Sequence, residues 1–217
     1  MEPEIIAAFI MQYFCLVFSL SVHEASHAKV AEMCGDPTAR LLGRVTLNPA
    51  KHVDPIGTVI MPMMMFFTRI PFLFGWAKPV PYNPRNLKNL RRDPVLIALA
   101  GPASNLLIAI VTILLLRIGF IAVGIETMQD VFLLQLGMLM IYINLLLALF
   151  NMIPVPPLDG SALLGFLLPD SGKQMLESIG PFGILIAIFI SSRFLSGPLD
   201  YLFEQATWLA LWGIQQG

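Results

Sequence analysis

Ile5-Ile-Ala-Ala-Phe-Ile-Met-Gln-Tyr-Phe-Cys-Leu-Val-Phe-Ser-Leu-Ser-Val22 carries no charge and ends directly on His23-Glu24-Ala25-Ser26-His27. As a helix these 18 residues extend about 27 Å, close to the ~30 Å of a bilayer's hydrocarbon core. The rest of the chain agrees with that reading. Of 217 residues, 57% are hydrophobic and 12% charged, and the mean hydropathy is +0.77. Soluble domains average about 25% charged residues. A net charge of −1 leaves no basic footprint for phosphates, so no nucleic-acid partner is expected. The composition indicates an all-α polytopic membrane protein whose first partner is the lipid bilayer.

Working outward, further uncharged runs follow at 95–116, 131–158 and 178–192. Pro154, Pro156 and Pro157 end the helix of the second of these near Ile153. Residues 198–213 include Asp200 and Glu204, a poor span or an interfacial helix. Met1-Glu2-Pro3-Glu4 lacks the basic head of a secretory signal, so the first helix is expected to be retained. The two cysteines, Cys15 and Cys34, do not make a disulfide framework.

Nine of the 13 basic residues lie in two stretches, 29–51 and 78–92. The positive-inside rule puts both in the cytoplasm. The apolar run 55–77 between them is therefore expected to re-enter or lie shallow; a true span with one loop defying the rule is the alternative. The N-terminus is then outside, helix 95–117 runs outward and helix 131–153 returns. Between Cys34 and Pro55, Gly43 within a partly alternating stretch predicts a short β-hairpin at the cytoplasmic rim, and Asn48-Pro49 and Asp54-Pro55 mark turns.

His23-Glu24-x-x-His27 places two imidazoles on one helix face, where they can share a Zn²⁺ with Glu24 beside them to activate water. A solvated helix end near Lys29 is the plainer reading. A catalytic zinc takes three protein ligands. Among the acids near the central apolar runs, only Asp159 is left besides Glu24, and topology returns it to the depth of the histidines. A structural zinc would need a fourth ligand, for which Cys34 and His52 are candidates.

Together with Asn151-Met-Ile-Pro154-Val-Pro-Pro-Leu158-Asp159-Gly160, the His23–His27 motif resembles the paired signatures of the site-2 protease family of intramembrane zinc metalloproteases. Gly101-Pro-Ala-Ser-Asn105 resembles the family's small-residue motif at a helix start. The resemblance covers roughly residues 5–160. It implies one Zn²⁺ per chain on His23, His27 and Asp159, Glu24 as general base then acid, and Asn151 as a donor to the scissile carbonyl or oxyanion. A helix–helix hydrogen bond is the other use for Asn151, and Asn144 is expected to be packing glue. Gly101, Ala103 and Ser104 suit close packing against the zinc helix. Gly160 permits a turn that lets Asp159 double back.

The organisation expected is a single membrane-embedded peptidase domain over 1–217. It comprises a zinc-motif helix at 5–33, the rim hairpin and re-entrant segment at 34–93, core helices at 94–118 and 131–160, and about two C-terminal helices at 178–217. The resemblance is to a minimal form, without a PDZ or CBS domain. Gly75-Trp76-Ala77-Lys78-Pro79-Val80-Pro81 reads as extended backbone. Gly75, Trp76 and Pro79 could offer an edge to an unwinding substrate, or Trp76 and Lys78 could anchor the interface. His52 is a rim residue, near the cleft or merely solvated. The activity implied is endoproteolysis of transmembrane segments of membrane proteins at the cytoplasmic side of the cell membrane. A metal transporter or sensor, and an inactive relative acting as a membrane chaperone, are the alternatives.

Overall fold

In a computed structural model, residues 2–69, 74–123 and 128–212 are described. Among them the secondary structure is helical, and the chain groups into two compact units, Met1–Gly101 and Pro102–Gly217. Among the described residues, four helical stretches are long and apolar enough to cross a membrane: Pro3–Met33, Asp93–Phe120, Val131–Asn151 and Gly183–Leu211.

The first unit is organised along α1 (Pro3–Met33). Its N-terminal part exposes Ile10, Phe14 and Phe18, while Ser19, Leu20, His23 and Ala28 are buried. Gly35, at φ +108°, stops the helix. Its N–H reaches the carbonyl of Glu32 while Asp36 N–H reaches that of Ala31, the paired bonds of a left-handed helix stop. The β-hairpin expected next is not there. Thr38–Leu41 is a short helix, α2, and Gly43 (φ +66°) repeats the same stop, with Gly43 N–H on Arg40 and Arg44 N–H on Ala39. The glycine taken as a strand signal is a helix terminator.

Of the run 55–77, residues 55–69 and 74–77 are described. Asp54 caps it, its carboxylate accepting from the amides of Ile56 and Gly57. A π-helical turn (Pro55–Ile60) leads into α3 (Met61–Phe67), and Phe66 packs on Phe9 of α1 with ring centroids 4.3 Å apart. Residues 74–83 adopt neither helix nor strand. Trp76 N–H meets the carbonyl of Gly57 at 3.2 Å, and Lys78 N–H meets that of His52 at 2.8 Å. Both ends of the excursion are thus tied together. Asp36 secures the chain that follows, accepting from Asn83 N–H and Asn86 Nδ2 as well as from Thr38. Ala31, Cys34, Leu87 and Ile97 close a small apolar cluster.

Helix α4 (Asp93–Val123) begins well before the Gly101–Asn105 motif. That motif is therefore internal to the helix and not at its start, and Pro102 lies within it. This proline leaves the Ala98 carbonyl without its helical donor.

In the second unit, the remainder of α4 packs with α5 (Met128–Asn151). Ala109, Leu116, Phe120, Ile141 and Leu145 form its seam with Leu199, Ala206 and Ala210. Within the seam, buried Asn105 Nδ2 donates to Asn144 Oδ1 at 2.8 Å, the packing role expected of Asn144. After α5 come α6 (Gly160–Leu167) and α7 (Asp170–Ser178). The last two runs are not separate pieces. Helix α8 (Gly183–Ile190) continues through a π-helical turn at Ser191–Leu195 into α9 (Ser196–Leu211). Pro198 explains the turn: it has no N–H for the Phe194 carbonyl, and its ring would collide with that carbonyl in a regular helix. Tyr142 meets Phe203, and Met138 meets Thr207, so α9 runs antiparallel to α5. Arg117 of α4 donates to the Leu209 carbonyl and lies over the Trp212 ring.

Candidate metal centre and catalytic residues

His23 and His27 lie four positions apart on α1, so their rings share a face. Their Nε2 atoms lie 2.9 Å apart and the ring planes are nearly perpendicular. Two nitrogens on one tetrahedral zinc, at about 2.0–2.1 Å each, would be about 3.3 Å apart, so the pair needs only a slight opening to accept the ion. His27 Nδ1 lies 2.6 Å from the Ile97 carbonyl. Nδ1 carries the proton in that bond and Nε2 keeps its lone pair, the tautomer that binds metal. Both histidines are buried. Gly101 of α4 faces them directly. A Cβ there would run into Cε1 and Nε2 of His23 and Nε2 of His27, so the absence of a side chain keeps open the space in front of both ligand nitrogens. The chemistry of the donor pair and this cradle both fit zinc.

Glu24 sits between the histidines in sequence and is 9% exposed. Its Oε2 accepts a 3.0 Å hydrogen bond from the backbone N–H of Val80. That contact connects the motif to the extended segment containing Gly75, Trp76 and Pro79. Much of this segment is engaged. Trp76 bonds Gly57 and Thr58, Lys78 bonds His52 and Arg44, the Pro79 carbonyl accepts a longer bond from Arg44, and Val80 bonds Glu24. Gly75 and Ala77 have no backbone partner among the described residues. Gly57 and Gly75 let the two legs touch: a Cβ on Gly57 would enter the Trp76 ring, and one on Gly75 would lie 2.6 Å from the Gly57 carbonyl. His52 is buried, with Nε2 on the Thr46 carbonyl at 2.8 Å; it is a brace of this scaffold and not a solvated loop residue.

In the second unit, α5 ends at Asn151, whose Nδ2 donates back to the Leu147 carbonyl at 3.0 Å. Asp159 immediately precedes α6. Gly160 is packed against the end of α5, where a Cβ would strike the carbonyls of Met152 and Ile153. That contact brings the chain at Gly160 back against the end of α5. Leu158 is buried beside Ile153, Val155 and Ala187.

Sequence reasoning missed Val80 as a partner of Glu24. The signal was present in Pro79-Val80-Pro81, where two prolines leave Val80 as the only amide donor of the three.

Comparison with known proteins identifies the relatives. The chain is 37% identical over 177 residues to "Putative zinc metalloprotease YwhC" of Bacillus subtilis, a match covering 81% of this chain and 77% of that one. It is 27% identical over 202 residues to "Putative zinc metalloprotease Rip2" of Mycobacterium tuberculosis, covering 93% and 73% respectively. To the protein of the same name from Mycolicibacterium smegmatis it is 25% identical over 185 residues, covering 85% and 68%. No protein-family model matches the chain, and no solved structure matches it significantly. A histidine pair preset for zinc, apolar helices of membrane length and these relatives converge: the chain belongs to the site-2 protease family of zinc metalloproteases.

Proposed function

We propose that this protein is an intramembrane endopeptidase that hydrolyses peptide bonds within transmembrane segments of other membrane proteins. The observation that carries the reading is the His23–His27 pair, with facing Nε2 atoms and Glu24 alongside, on a helix long and apolar enough to cross a bilayer. His23, His27 and Asp159 are the zinc ligands in this reading, one ion per chain. Bound zinc supplies a Lewis acid for the scissile carbonyl and for water.

The chain's own residues do the rest. Glu24 takes a proton from the attacking water and passes it to the leaving amide nitrogen as the carbon–nitrogen bond breaks. Asn151 donates to the oxyanion with the amide hydrogen that Leu147 does not use. Substrate in lipid is helical because its backbone must satisfy itself, so it has to unwind before cleavage. The backbone at Gly75 and Ala77, with Trp76 between them and Pro79 beyond, offers partners to an unwound strand.

The whole chain acts as one membrane-embedded peptidase domain over 1–217. The excursion 55–77 re-enters the bilayer and returns to the cytoplasmic face. The tie between His52 and Lys78 and the basic residues on both flanks support this course. The N-terminus then lies outside the cell membrane and the site opens towards the cytoplasm.

Glu24→Gln tests the proposal. Purified protein should retain zinc and lose cleavage of a single-pass membrane substrate in vesicles. Undiminished cleavage by the zinc-loaded variant would overturn it.

A further inference from the structure

The only backbone amide in Pro79-Val80-Pro81 is spent on Glu24. We infer that the Val80 N–H is a positioning donor that orients the Glu24 carboxylate for proton transfer and makes the extended segment 74–80 part of the catalytic apparatus. The inference deepens the proposed function and rests on Glu24 being its base.

A glutamate side chain turns about three bonds, and its carboxylate has two equivalent oxygens. A proton shuttle has to present one oxygen to water in a fixed direction. Here Oε2 is bound from a residue 56 positions away, which leaves Oε1 as the oxygen for the proton. The donor is itself held. Thr58 Oγ1 donates to the Trp76 carbonyl at 2.8 Å, Lys78 N–H donates to His52, and buried Arg44 donates to the Lys78 carbonyl. These bonds, with a longer one from Arg44 to the Pro79 carbonyl, hold residues 76 and 78–80 to the scaffold. Gly75 and Ala77 have no backbone partner among the described residues. A strand adding at Gly75 and Ala77 would be fixed to the same backbone that aims Glu24. Loss of a hydrogen bond to a charged group corresponds to about a tenfold to hundredfold effect, and it should fall on turnover, because Val80 N–H touches the base and not the ligand.

The experiment uses the full chain in vesicles, with Val80→Pro, which lacks the amide, beside Val80→Ala, which keeps it. Val80→Pro should retain zinc and lower kcat about tenfold to a hundredfold with KM little changed, and Val80→Ala should restore kcat to within about threefold of wild type. Thr58→Val loosens the far end of the same segment and should move KM more than kcat. Equal losses of kcat in Val80→Pro and Val80→Ala, or in Val80→Pro and Thr58→Val, would reduce Val80 to a structural role and overturn the inference. A second reading needs no turnover. In carboxylate-labelled protein, the infrared band that Glu24→Gln removes should shift in Val80→Pro and stay in place in Val80→Ala; an unmoved band in Val80→Pro overturns the assignment. If Glu24→Gln still cleaves, the proposed function fails separately, whatever Val80 does to that band.

Discussion

The two units hold themselves together by different means. In Met1–Gly101, segments far apart in sequence are joined by hydrogen bonds to irregular backbone: Lys78 to His52, Trp76 to Gly57, Val80 to Glu24, and Asn83 and Asn86 to Asp36. In Pro102–Gly217, long helices meet along an apolar seam of Ala109, Leu116, Ile141, Leu199 and Ala206, with one buried asparagine pair. Directional bonds fix where a particular oxygen or nitrogen points. Apolar seams fix only where helices lie. The histidines, Glu24 and the candidate substrate segment belong to the unit built by directional bonds, which suits groups that must aim lone pairs and protons; Asp159 and Asn151, the other residues proposed for the site, lie in the second unit.

The sharpest way to break this contrast is at Gly101. Gly101→Ala inserts a Cβ against both ligand nitrogens. Zinc affinity should fall about 10- to 100-fold or more, and cleavage with it, while the helices remain; zinc titration and circular dichroism check this. The reciprocal change is Ile141→Ala, which opens a cavity at a side chain with no exposure. It should cost about 2–5 kcal/mol of stability, seen as a lower unfolding midpoint, and leave zinc affinity intact. Gly183→Ala comes next. The first residue of α8 lies against the Pro156 carbonyl, and the added methyl should cost about 1–3 kcal/mol by overpacking. If Ile141→Ala weakened zinc as much as Gly101→Ala does, the division between aiming and packing would not hold.

What could be read in the sequence follows the same division. The helices that could cross a membrane were visible as uncharged runs, because length and hydropathy are properties of a single segment. His23, Glu24 and His27 were legible because their four-residue spacing is itself the geometry. The rim was misread because Gly43 supports two local structures. A strand kink and a left-handed helix stop both call for glycine, and only the bonds of Arg44 and Gly43 to Ala39 and Arg40 decide between them. The C-terminal runs looked separate because Arg193 and Pro198 interrupt the hydropathy. A widened turn absorbs the proline, and one helical stretch results. The Val80–Glu24 bond joins residues 56 apart through a backbone amide, and no side-chain pattern records it.

The smallest effect distinguishes the directional network from its surroundings through pH. Asp36 has no exposed surface. Burial opposes its ionisation, but the hydrogen bonds from Thr38, Asn86 and Asn83 outweigh it and hold the carboxyl below its ordinary value. A carboxylate with a depressed folded pKa contributes stability that is complete above the unfolded value of about 3.9 and is lost as pH falls through the folded value. Asp36→Asn keeps the shape and one acceptor oxygen but removes the charge and the second acceptor. It should cost about 1–3 kcal/mol at neutral pH, with the gap to wild type closing only below pH ~4. Unfolding midpoints measured from neutral to acid pH check this. A gap that does not change with pH would mean that Asp36 acts by shape alone, and that the bonds converging on it do not depend on its charge.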